Sequence, residues 1–117
     1  MSKYTASNTF NTELSVDDDR IVMFMTAKEI LGSDITDEMA VSGGYNMNTI
    51  EYVRIATSNA FGLNFESNID KNDYIDGKAI TEATFKDEET NTVKYVKMIT
   101  SSKLVGNTWH IRSEVFC

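Results

Sequence analysis

The sequence predicts an α+β domain in which two or three N-terminal helices pack on a curved antiparallel sheet whose C-terminal three strands form a meander. Three observations carry this expectation. Runs at 80–85, 92–105 and 108–116 are rich in β-branched and aromatic side chains and alternate apolar with polar, as a pleated surface with one packed face requires. Short connections separate them: a charged stretch at 86–91 and the pair Gly106-Asn107, which suits a type II′ turn because that turn wants glycine first. Upstream, apolar residues recur between capping residues and glycines, the punctuation of helices.

Parity assigns the faces of the meander. In the last run Trp109, Ile111, Ser113 and Val115 share one side, expected to face the core, while His110, Arg112, Glu114 and Phe116 share the other. In the middle run Val93, Tyr95 and Ile99 oppose Val96 and Met98, so both faces have apolar groups to bury, the pattern of a central strand.

The elements before the meander are read in chain order. Residues 1–8 are small and polar, a frayed end or an added edge, and 10–14 alternate weakly as a short strand. Ser15 is the expected cap of a helix at 20–31, with Asp17, Asp18 and Asp19 in its first turn and Gly32 closing it. The competing reading is a hairpin turning at Asp17-Asp18 with 21–25 as a buried strand, and so short an apolar run does not decide between them. A second helix is expected at 33–41, capped by Ser33 or Asp34 and ended by Ser42-Gly43-Gly44, where the glycine pair marks a hinge or a close backbone contact. A third helix at 50–61 carries Ile50, Val53, Thr57, Ala60 and Phe61 on one stripe, and an extended stretch begins at Leu63-Asn64-Phe65. Residues 64–76 are polar and read as a loop.

Bulk properties bound the class. A chain of 117 residues forms one domain, 1–117, able to bury roughly two thirds of its unfolded surface. Its longest apolar run, 21–25, is far too short to span a bilayer, and it lacks a secretory pattern, so a cytoplasmic location is expected. The lone cysteine, Cys117, agrees with a reducing compartment.

Several chemistries are excluded on spacing. Asp70, Asn72, Asp73, Asp76 and Gly77 do not make a calcium loop, because the position that needs a bidentate Glu holds Ala83. One His and one Cys supply no zinc spacing, and Gly43-Gly44 lacks the Gly-Lys-Ser/Thr of a phosphate loop. No nucleophile elbow occurs. No metal, cofactor or catalytic residue is therefore expected.

Two function classes follow. A net charge of −7 opposes direct nucleic-acid binding. The acids cluster at Asp17-Asp18-Asp19, Asp34-Asp37-Glu38, Asp70-Asp73-Asp76 and Asp87-Glu88-Glu89. Solvated loops and helix starts account for such clusters, and so does a negative surface that meets a basic protein. The first expectation is thus a small acidic, non-enzymatic protein-binding domain. It would be an inhibitor or adaptor of the phage or mobile-element kind, aided by Tyr45, Met47, Tyr52 and Tyr74. Association of copies into a homo-oligomer stays open. The second is a small-molecule binder or modest enzyme, with a pocket lined by Tyr95, Met98 and Trp109 and with His110, Arg112 and Glu114 at its mouth. His110, the sole histidine, would be its general base. The order of elements from Ser15 to Phe116, helices and then a meander, resembles cone-shaped α+β folds of the nuclear-transport-factor-2-like kind. That resemblance implies a curved sheet closing over helices around a pocket, and it carries no functional residue onto this chain.

Overall fold

The structure, a computed structural model, describes residues 3–32, 34–61 and 66–117. Its elements are β1 (Ser7–Ser15), α1 (Asp19–Leu31), α2 (Asp37–Phe61), β2 (Glu66–Ile75), β3 (Lys78–Asp87), β4 (Thr92–Val105) and β5 (Thr108–Phe116). The strands form one antiparallel sheet in the order β1-β5-β4-β3-β2, with α2 lying over β3 and β4. The α+β class and the antiparallel sheet are as expected, but the arrangement differs. The short strand expected at 10–14 is present as β1, so the two helices among the described residues are not N-terminal, and the sheet order puts β1 at an edge beside β5 while the sequential pairing starts already at β2.

The core-facing parity of β5 holds: Trp109, Ile111, Ser113 and Val115 are buried and alternate with exposed or half-buried neighbours. At the β4–β5 turn Gly106 alone has a left-handed backbone, φ 61°, which is the type II′ geometry. At the β2–β3 turn Asp76 and Gly77 are both left-handed, φ 53° and 75°, and make the I′ turn that matches strand twist.

That turn belongs to a strand where a loop was expected at 64–76. Paired on one side only, β2 needs no apolar alternation, and a register shift between Ile69 and Lys71 interrupts its ladder. The expected extended start at Leu63-Asn64-Phe65 lies outside the described residues, as does the proposed cap Ser33.

Helix α1 is capped by Asp18, not Ser15. Asp18 Oδ1 accepts the Arg20 N–H at 2.9 Å, whereas Ser15 ends β1. Gly32 closes the helix as expected, donating to the Lys28 carbonyl at 3.0 Å. Burial favours helix over hairpin: Ile21 and Phe24, one turn apart, are buried, while Val22 and Met23 between them are exposed.

Helix α2 runs unbroken through Gly43-Gly44, so two expected helices are one. The glycines do mark a close contact. A Cβ at Gly43 would overlap the Tyr74 hydroxyl, and one at Gly44 would overlap the Phe24 ring. Two missing side chains let α2 seat against β2 and α1 at the same level, which tertiary packing rewards more than helix propensity penalises.

The core has two apolar halves. Leu14, Ile21, Phe24, Val41, Trp109 and Ile111 fill one, and Ile50, Ala83, Phe85, Val96, Met98 and Val115 the other. Between them runs a buried polar seam. Asn46 Nδ2 donates to the Ala79 carbonyl at 3.2 Å and to Thr81 Oγ1 at 2.9 Å. Thr81 in turn donates to Asn72 Oδ1 at 3.0 Å. Thr100 donates to Asn46 Oδ1 and lies 3.0 Å from Ser113 Oγ. Among the described residues no buried side-chain nitrogen or oxygen lacks a partner, as a low-dielectric interior demands.

Candidate interaction surface

The acidic side chains take different jobs. Asp17 and Asp19 are exposed beside the start of α1, but Asp18 caps that helix and holds the Arg20 guanidinium at 3.1 Å. Hydrogen bonds from Arg20 hold the Asp18 carboxyl below its ordinary range. Asp34, Asp37 and Glu38 are exposed around the start of α2, with Asp37 paired to Lys28. On β2, Asp70 accepts from Asn68 at 2.6 Å and from the Thr84 hydroxyl, while Asp73 lies 3.6 Å from Lys71. Asp76 stands exposed in the β2–β3 turn. Asp87 is buried and accepts the Glu89 N–H at 3.0 Å, so it shapes the β3–β4 turn, while Glu88 and Glu89 are exposed on it.

The residues of the expected pocket are not brought together. Trp109 and Met98 lie on the helix-covered face, in separate halves of the core. Tyr95, His110, Arg112 and Glu114 fall on the opposite parity and face away from the helices. His110 Nδ1 stands 3.2 Å from Glu13 Oε1, its register partner on β1, and Arg112 donates to Glu114 at 3.0 Å. The sheet therefore divides this set, and packed apolar side chains occupy the space between helices and sheet. On the open face the Lys3 ammonium stands 4.8 Å above the Tyr95 ring, and Tyr4 packs on Phe116 at 6.2 Å. Desolvation first, and then Glu82, raises the Tyr4 phenol above its ordinary value.

A cleft that sequence reading missed lies between β1 and the two helices. Phe10, Arg20, Phe24, Tyr45, Asn48, Thr49, Tyr52 and Val53 line about 360 Å³, within the size range of small binding pockets. Each element contributes by its own period. Phe10 shares the inward parity of β1 with Leu14, Arg20 and Phe24 are one turn apart on α1, and Tyr45, Asn48, Thr49, Tyr52 and Val53 form one face of α2. Thr49 donates to the Tyr45 carbonyl at 2.7 Å, and the Tyr45 hydroxyl lies 2.9 Å from Thr12 Oγ1, which fixes that wall. Phe10 and Tyr52 keep 45% and 71% of their surface exposed, so the mouth is apolar and open. The period of α2 here is visible only if the helix continues past Gly43-Gly44, and a helix stop assigned there hides it. Met47 is exposed as well, whereas Tyr74 is half-buried, donates to the Met39 carbonyl and serves packing.

Among the described residues no group of three or more His, Cys, Asp or Glu side chains is placed to hold a metal ion. No described helix is long and apolar enough to cross a membrane. Comparison of the chain with protein-family models, with curated proteins and with solved structures finds no match.

Proposed function

We propose that this chain is a small acidic protein-binding domain, of inhibitor or adaptor type, that acts in the cytoplasm without chemistry of its own by meeting a partner with a basic surface. One observation carries the reading. Asp17, Asp19, Asp34, Glu38, Asp76, Glu88 and Glu89 are exposed at turns and helix starts. Meanwhile Arg20, Lys28, Arg54, Lys71 and Arg112 are each drawn to another acid. These seven exposed carboxylates contribute to the net charge of −7 at the helix starts and turns. Such a field steers association and repels phosphate backbones.

The test is recovery of a protein partner from native lysate at low and at moderate salt, followed by association kinetics. Raising ionic strength shortens the screening length from about 30 Å to about 8 Å, and association should slow accordingly. Joint replacement of Asp17, Asp19, Glu88 and Glu89 by Asn and Gln should slow it too, leaving the structural carboxylates Asp18 and Asp87 in place. Association indifferent to both changes would refute the reading. So would the absence of any protein partner together with a defined small molecule that co-purifies and is lost on His110→Ala.

A further inference from the structure

The two edges of the sheet are not alike. On β2 the ladder carries a register shift, and Asp70, Lys71 and Asp73 line the strand, the usual devices that keep an edge from pairing with another chain. On β1 the register to β5 is regular from Ser7 to Ser15, and Glu13 is the only charged residue. Ala6 and Cys117 exchange both backbone bonds, at 3.2 and 3.0 Å. Antiparallel alternation from that pair gives Asn8, Phe10, Thr12 and Leu14 their bonds to β5. Ser7, Thr9, Asn11 and Glu13 consequently direct their N–H and C=O groups to the outer side. There Thr9 N–H is met by its own neighbour, Asn8 Oδ1, at 2.9 Å. No other described strand pairs with this side of β1.

The aromatic cleft opens beside the same strand, with Phe10 common to both. Next to it the β1–α1 turn carries Asp17, Asp18 and Asp19 against the single base Arg20. We infer that the free edge of β1 and the cleft form one docking site for an extended basic segment of a partner protein, which adds a strand to the sheet. Its backbone pairs with Asn11 and Glu13, and one of its alternate apolar side chains seats among Phe10, Tyr45 and Tyr52. Its Lys or Arg residues stand near Glu13, Asp17 and Asp19. Main-chain bonds supply affinity in this mode, and the pocket and the charges supply selectivity. The charge decides between occupants: a second copy would bring another −7 to the same seam, whereas a basic segment is attracted to it. The inference rests on the proposed function and specifies its surface.

The probe is a library of phage-displayed random dodecapeptides selected on the intact protein, with enriched peptides measured against three variants. Asn11→Pro deletes an N–H that faces away from β5, so the β1–β5 ladder survives, as circular dichroism and β5 amide protection will verify. Tyr52→Ala opens the cleft at its most exposed wall, and Asp17→Asn with Asp19→Asn removes charge. The expected peptides combine an apolar residue with Lys or Arg and bind about tenfold more weakly to Asn11→Pro and to Tyr52→Ala. Enrichment of none, or of peptides indifferent to both variants, overturns the inference. A concentration-dependent dimer in sedimentation that disappears in Asn11→Pro overturns it as well, by giving the edge to a second copy. Basic, salt-sensitive peptides unaffected by Asn11→Pro would leave the acidic-surface reading standing and defeat this one. Uncharged peptides that need Asn11 and ignore salt would overturn the basic occupant inferred here and count against the acidic-surface reading as well.

Discussion

Asn46 on α2 donates to the Thr81 hydroxyl of β3 at 2.9 Å, and neither residue has any exposed surface. The bond stitches helix to sheet on the line where the two apolar halves of the core meet. Asn46→Ala leaves the Ala79 carbonyl and the Thr81 and Thr100 hydroxyls short of partners. It should destabilise the fold by about 3 kcal/mol or more. Urea unfolding should show a lowered midpoint with an unchanged slope, and a loss below about 1 kcal/mol would mean that the seam readily re-satisfies itself.

Alanine at Gly44 should destabilise as well, by about 1 to 3 kcal/mol, although alanine in a helix interior is intrinsically better than glycine by about 1 kcal/mol. The reason is the buried Phe24 ring, which occupies the space that a Cβ at Gly44 would take. At Gly43 the obstacle is the hydroxyl end of Tyr74 on an edge strand, so Gly43→Ala should cost less. Thermal midpoints of the two variants check the order, and equal midpoints would show that α1 yields as easily as β2.

Alkali should reveal Tyr74. Burial raises its phenol above the ordinary value of 10.0, so the folded state holds that proton more tightly than the unfolded chain. In the linkage relation the unfolded state then binds fewer protons, and stability falls as pH rises. The contribution is complete below about pH 10 and disappears as pH climbs through the raised value. Unfolding midpoints between neutral pH and that range should fall more steeply for the wild type than for Tyr74→Phe, and parallel curves would show the phenol to be solvated.

Trp109 is the sole tryptophan and is 3% exposed within the Leu14, Ile21, Phe24 half of the core. Trp109→Ala should cost about 3 to 5 kcal/mol through lost burial and a cavity. Native emission should be blue-shifted and shielded from iodide, and quenching equal to that of a free indole would contradict the packing described.

The sequence was most readable where one strand face is buried and the other wet. On β5 strict alternation left no choice of register, because a slip by one residue would expose Trp109 and bury Arg112. It was least readable at edges and glycines. Edge strand β2 has no buried second neighbour to demand an apolar pattern, so its residues look like a loop. Asp76-Gly77 is a strong hairpin signal that stands inside the calcium-like spacing from Asp70 to Gly77, which masks it. Gly43-Gly44 carries a stop signal that packing against Tyr74 and Phe24 overrides, and the cleft was lost with it. The expected His110 pocket failed for a simpler reason: side chains adjacent on one strand point to opposite faces, so Trp109 and His110 were never going to share a wall.

Thr5 meets Cys117 across 112 positions of chain, at the end of the β1–β5 seam. Strand β1 therefore pairs with β5, with both helices and three strands between them in the chain. Strands β2 to β5 are tied by local hairpins that form on short loops, whereas docking β1 closes a loop through both helices and bears the larger entropy of closure. A growing chain carries β1 without its sheet partner until β5 has been made. In the finished molecule that strand sits on long-range contacts alone, which makes it the first place for the sheet to open.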